Sequence, residues 1–136
     1  MIHENIQIKN TISETNNSIR KLSPFRLLTE SQTKLVKDIV NFCEHHIRDN
    51  HAALVIEGDA GTGKSLALNT AFTRIQTEAR QEKNSPLYET QNILLVNHPE
   101  MIKLYRNIST NISALRRKDY ERPTTFINTA QKSDRA

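Results

Sequence analysis

The chain has 136 residues, enough for one domain with a real core and too few for two comfortable ones. Hydrophobic residues make up 36%, below the globular norm, beside an ordinary charged fraction of 25%; this fits a soluble domain carrying some poorly folded polar sequence. There is no apolar run of membrane-helix length and no secretory signal at the start, the single Cys43 excludes an internal disulfide and fits the cytoplasm, and a net charge of +4 permits a nucleic-acid partner without arguing for one.

Residues 1–24 read as a polar N-terminal arm, with one short strand expected near Ile6–Ile8 and a turn at Ser23-Pro24. Thr29 to about Ile47 has helical spacing, with Leu35, Val36, Ile39, Val40, Cys43 and Ile47 on one stripe. Ala52–Glu57 is a short β-branched apolar run and predicts a buried strand. A second helix is expected from Lys64 to about Arg80, with Leu68, Phe72, Ile75 and Ala79 facing inward. Glu82–Gln91 reads as a polar connection around Pro86, and Ile93–Val96 as a second buried strand. Asn97-His98-Pro99 reads as a helix cap followed by a first-turn proline, with Met101, Leu104, Tyr105 and Ile108 continuing the stripe. A short helix over Asn111–Lys118, a third strand over Thr124–Ile127 and a polar end over Gln131–Ala136 complete the expectation. This β-α-β order implies a parallel sheet with helical crossovers.

The glycines are the informative count. Average usage of about 7% would place nine or ten in a chain of this length. There are three, Gly58, Gly61 and Gly63, confined to one loop whose backbone therefore needs conformations that side chains forbid. Gly58, Asp59, Ala60, Gly61, Thr62, Gly63, Lys64 and Ser65 together fit the Walker A pattern G-x-x-x-x-G-K-[ST], between an expected strand and an expected helix. Such a loop wraps a triphosphate with its backbone N–H groups, aided by the positive end of the following helix. Lys64 is then the catalytic cation reaching the β- and γ-phosphates, and the Ser65 hydroxyl the Mg²⁺ ligand, with ATP and Mg²⁺ as the expected ligands.

Three further segments carry a family resemblance. Leu28-Thr-Glu-Ser-Gln32 resembles the glutamine motif of superfamily-one helicases, while Ile93-Leu-Leu-Val-Asn-His-Pro-Glu100 and Pro123-Thr-Thr-Phe-Ile-Asn-Thr129 resemble segments that follow in that fold. Together with the P-loop they are similar to the bacterial Schlafen-group-three type of DNA/RNA helicase domain, over about residues 25–130. The resemblance implies an α/β fold: a three-layer, RecA-like P-loop NTPase with a parallel sheet flanked by helices, incomplete in this chain. It also implies that Gln32 recognises adenine and that Thr124–Phe126 lies near a DNA or RNA channel. Thr29-x-x-Gln32 equally satisfies a capping box, so Gln32 has two open readings, which can coexist. Arg116, Arg117, Lys118 and Arg122 are candidate phosphate contacts, though a short charge run is more often a solvated face. Cys43, His45, His46 and His51 fit no standard zinc spacing.

An ATPase of this kind also needs an apolar strand ending in Asp, usually followed by Glu, to anchor Mg²⁺ and polarise water. Ile93–Val96 ends instead in neutral Asn97, and Asp119 and Asp134 follow polar sequence. In the family resembled, that strand follows the Thr124–Asn128 position and precedes a second RecA-like domain. The chain therefore reads as residues 25–136 of a P-loop NTPase domain ending before its Walker B strand, from a truncated reading frame or an excised piece, and poorly equipped to hydrolyse ATP alone. An incomplete sheet would also expose an edge through which copies self-associate. Two alternatives stay open: a small-molecule P-loop kinase, with Arg116, Arg117 and Arg122 as its lid, and a non-hydrolysing nucleotide-binding interaction module.

Overall fold

The fold comes from a computed structural model that describes residues 27–58 and 63–135. The expected arm over 1–24, with its Ile6–Ile8 strand and Ser23-Pro24 turn, lies outside the described residues. So do Asp59, Ala60, Gly61 and Thr62.

Helix α1 spans Glu30–His46 and starts where the capping signal predicts. Thr29 Oγ1 accepts from the Gln32 N–H at 3.1 Å, and Gln32 Oε1 accepts from the Thr29 N–H at 2.9 Å. Two donors left free at the helix start are thus satisfied reciprocally. Val36, Ile39 and Val40 are buried, and half-buried Leu35 and Cys43 flank them, so the stripe faces the core as its spacing implies. Helix α2, Lys64–Gln81, packs against it. Ala67, Ala71 and Ile75 meet the α1 stripe, and the absence of larger side chains at two of these positions lets the helices approach closely.

α2 is buried on a second side as well. Phe72 joins Tyr105, Leu115 and Tyr120 in a second apolar cluster, which Leu94, Val96, Met101 and Ile112 extend. The expected inner face was therefore too narrow, and Leu68, placed on it, is exposed. Polar side chains serve the same interface: Gln76 Nε2 donates to the Asn92 carbonyl at 3.1 Å, and Asn92 Nδ2 returns a bond to Gln76 Oε1 at 3.2 Å. The connection after α2 is not purely polar either. Leu87 is 1% exposed and completes the α1–α2 core.

Strand β1, Leu94–Leu95, pairs in parallel with β2, Tyr120–Glu121, in the register Leu94 with Tyr120 and Leu95 with Glu121. Between them lies α3, Pro99–Ser109, so the β-α-β order with parallel pairing is present. His98 caps α3, its side chain accepting from the Met101 N–H, and Pro99 occupies the first turn, where a missing N–H costs nothing.

The expected buried strand over Ile93–Val96 is reduced to Leu94–Leu95 and is not buried. Ile93 and Leu95 are exposed and only Leu94 and Val96 are half-buried against the core, because nothing among the described residues covers its other face. Three other expected elements differ. Thr124–Ile127 is not a strand but the start of helix α4, Pro123–Arg135; the proline preorganises a helical first turn, and the partner strand of β1 forms just upstream instead. Asn111–Lys118 is turns leading into a short 3₁₀ segment, Arg117–Asp119, rather than a helix. Ala52–Glu57 forms no strand: among the described residues nothing pairs with it, and Val55 is 79% exposed. Ile56 alone of this run packs onto the α1–α2 core. The described residues are thus mostly helical around a two-stranded parallel sheet, and none of their helices is long and apolar enough to cross a membrane.

Candidate nucleotide-binding site

Four members of the glycine-rich motif are described, and they cluster at the start of α2. Gly63 is the N-cap, with φ of +80°, the left-handed region that a Cβ disfavours. It offers no side chain to cap the helix, and the first turn of α2 holds no acidic residue. The amides of that turn therefore keep their positive character for an outside acceptor. Lys64 folds back so that its ammonium donates to the Gly58 carbonyl, closing the loop between its two described ends. Ser65 follows in the first turn, exposed.

Gln32 comes to the same place from α1. A Cβ built on Gly63 would run into the Gln32 side-chain amide, which would have to give way, while the positive φ is what favours glycine here. The capping box orients this contact: Oε1 is bonded to the Thr29 N–H, which leaves Nε2 turned to Gly63. The sequence motifs at residues 29–32 and 58–65, far apart in the chain, thus meet.

The apolar cluster beside the loop centres on two tyrosines. Tyr105, on α3, is 3% exposed, and burial pushes its hydroxyl up, partly offset by the Ser65 hydroxyl. The Tyr105 ring stacks on Tyr120 at 5.3 Å with planes 3° apart, and Tyr120 meets Phe72 edge-on at 5.4 Å. Tyr120, fully buried, donates from its hydroxyl to Asn69 Oδ1 on α2 at 2.9 Å. Nothing in the linear pattern separates Tyr105 from the other stripe positions, and only the packing reveals its stack on Tyr120.

Of the acidic candidates, Asp119 is otherwise engaged. Asp119 accepts from Arg80 at 2.5 and 2.7 Å and from the Arg116 N–H at 2.9 Å. Burial raises its carboxyl, but the bonds from Arg80, Arg116 and Gln76 and the Arg80 charge outweigh burial and hold it below the ordinary carboxylate range. This is a structural ion pair joining the end of α2 to the approach to β2. Asn97, after β1, is exposed. A separate surface hollow of about 660 Å³ lies toward the far end of α2, beside Glu44, Arg74 and Glu78. There the Glu44 carboxyl is raised first by a hydrogen bond with Glu78 and then by burial, and Ser85 Oγ donates to Glu78 at 2.6 Å, which ties the turn after α2 back to that helix. The four basic residues Arg116, Arg117, Lys118 and Arg122 are all exposed. His45 and His46 bond Asn41 and Asp49 on or beside their own helix, each at 2.7 Å.

Comparison with known proteins defines the class as a helicase-type domain: the profile of the Schlafen group 3, DNA/RNA helicase domain matches residues 51–136, from the run before the loop through α4. The chain belongs to that family. It is also similar to the uncharacterized protein YPL245W of Saccharomyces cerevisiae, at 41% identity over 123 residues, which covers 85% of this chain. The chain spans 27% of that protein's length. No solved structure matches it.

Proposed function

We propose that this chain binds ATP with Mg²⁺ through Gly58–Ser65 and forms the N-terminal part of a DNA/RNA helicase-like ATPase with a RecA-like sheet. The observation that carries this reading is the start of α2. A Walker A sequence ends there in a left-handed Gly63, an uncapped helix terminus, and a lysine looped back over the Gly58 carbonyl. On ATP binding, the Lys64 ammonium exchanges that carbonyl for the β- and γ-phosphates, the loop and helix amides hold the phosphate oxygens, and Ser65 ligates Mg²⁺. Leu94–Leu95 is the sheet position around which further strands assemble; the exposure of Ile93 and Leu95 beside it supports this, and together with exposed Leu54 and Val55 these residues also offer a surface for self-association. Arg116, Arg117, Lys118 and Arg122 supply positive charge for a nucleic-acid backbone.

This chain by itself is a binder rather than an efficient hydrolase. Asn97, which ends the apolar run of β1, is neutral, and Asp119 is committed to Arg80. The test is calorimetry of ATP and GTP with Mg²⁺ on the wild type and Lys64→Ala. The variant should keep its circular dichroism spectrum and lose about tenfold or more in ATP affinity, the value of a hydrogen bond to a charged group. Unchanged ATP affinity in the variant contradicts the assignment, and equal affinity for GTP removes the adenine role of Gln32 alone.

A further inference from the structure

The turn after α2 is held by one serine hydroxyl used twice. Ser85 Oγ donates to Glu78 Oε1 on α2 at 2.6 Å and accepts from the Leu87 N–H at 3.0 Å. Together these bonds seat Leu87, 1% exposed, in the α1–α2 core. The segment is nevertheless presented to solvent. Lys83, Asn84 and Pro86 are exposed, Ser85 is half-buried, and Ser85 lines the surface hollow that Glu44, Arg74 and Glu78 share.

Ser85 is followed by Pro86, the pair that proline-directed Ser/Thr kinases accept. Proline suits that role because it brings no N–H to be left unpaired against the kinase. Reaching Oγ requires the turn to swing out, which breaks two backbone bonds of 3.1 Å, from Ser85 N–H to the Glu82 carbonyl and from Tyr88 N–H to the Ser85 carbonyl. Openings of a single surface turn are ordinary local events. Opening here also relieves Glu89, which sits at φ of +69° without being glycine.

Phosphoryl transfer would form an Oγ–P bond and break the β–γ anhydride of ATP; ADP leaves, and the hydroxyl proton passes to the kinase's catalytic carboxylate. The product has no hydrogen on Oγ to give Glu78, and it brings nearly two negative charges to a carboxylate. Glu78 has little room to step into water: its side chain is 6% exposed, with Arg74 Nε 3.8 Å from its second oxygen. The hollow adds Glu44 and Glu82 against Arg74 and Lys83, so the phosphate meets more negative charge than positive. We propose that Ser85 is a phosphorylation site for a proline-directed kinase, and that the phosphate bars the turn from closing and so withdraws Leu87 from the α1–α2 core. This holds whatever binds at Gly58–Ser65.

The experiment treats the full chain with a proline-directed kinase and ATP–Mg²⁺, in a Ser23→Ala background that removes the other Ser-Pro pair. Mass spectrometry should find phosphate on Ser85, absent from Ser85→Ala and much reduced in Pro86→Ala. After desalting, the phosphorylated chain should melt about 5 °C or more below the unmodified one, the scale of one lost hydrogen bond to a charged group. Its amides at 87–90 should exchange faster with deuterium. Glu78→Gln keeps an oxygen to accept from Ser85 and removes the charge, so in that background the melting shift on phosphorylation should shrink by about half or more. A chain left unmodified at Ser85 overturns the site. A phosphorylated chain that melts with or above the unmodified one overturns the switch, the latter because Arg74 and Lys83 would then be holding the phosphate in a closed turn. A shift undiminished in Glu78→Gln overturns the electrostatic cause.

Discussion

The ion pair between Arg80 and Asp119 links residues 39 apart and closes the second core, so its removal is a severe test of the packing scheme. Asp119→Asn preserves shape and deletes the charge. The Asp119 side chain is 4% exposed and that of Arg80 is 24% exposed, so the guanidinium regains some water when the carboxylate goes, whereas the Arg116 N–H and one Arg80 N–H face a weakened or reversed partner. Breaking a buried pair costs about 3–5 kcal/mol, and partial rehydration of Arg80 moves the expected loss to about 2–3 kcal/mol. For a domain of this size that lowers the melting temperature by roughly 10 °C or more. The pH dependence has a definite sign. Folding holds the Asp119 carboxyl below its unfolded value of about 3.9, so the pair's contribution is complete above that pH and is lost as pH falls through the lower folded value. Thermal melts followed by circular dichroism should show the full gap between wild type and Asp119→Asn from pH 7 to 5, closing below about pH 4. A gap within 0.5 kcal/mol at pH 7 (about the scale of an ordinary surface substitution), or one that stays constant to pH 3, would refute the ion-pair argument.

Two further substitutions probe the loop end and the core. Gly63→Ala must place a Cβ in the left-handed region, with the Gln32 amide giving way to it, so it should cost about 1–2 kcal/mol in urea unfolding; a neutral result would mean that residue 63 is not held in the left-handed region. Leu87→Ala empties a 1%-exposed position in the α1–α2 core and should cost about 3 kcal/mol by the same measurement, against less than about 0.5 kcal/mol if residues 82–91 were only a surface connection.

Helices α1, α2 and α3 were legible because each carries its own start signal and stripe: the Thr29–Gln32 box, the glycine-rich loop, and His98-Pro99. The strands were harder, since a strand is defined by its neighbour rather than by its own residues. Ala52–Glu57 has strand composition and no ladder, while Tyr120–Glu121, two residues with no apolar run, pairs with β1. Thr124–Ile127 has the composition of a strand in its two threonines, phenylalanine and isoleucine, and Pro123 before it, a residue suited to a helix's first turn, starts a helix instead. Leu87 was hidden among polar neighbours, since a single buried leucine in a turn has no period. Arg80 with Asp119, and Tyr120 with Asn69, are pairings of distant residues that no local pattern encodes.

Gln32 illustrates how two readings of one residue resolve into a geometric sequence. Capping uses Oε1 and the Gln32 backbone N–H, and both bonds are made. Recognising an adenine edge requires an amide that offers a donor and an acceptor side by side. The carbonyl oxygen has two lone pairs, of which Thr29 takes one, and Nε2 points toward Gly63 at the mouth of the loop. The cap thus does not compete with adenine recognition; it fixes the amide plane that such recognition would use. It also couples the start of α1 to the start of α2, because the side chain that closes one helix is the one that a Cβ at the other would meet. On the proposed reading, a phosphate held at the start of α2 and a base held at the start of α1 would thus meet the same Gln32 amide.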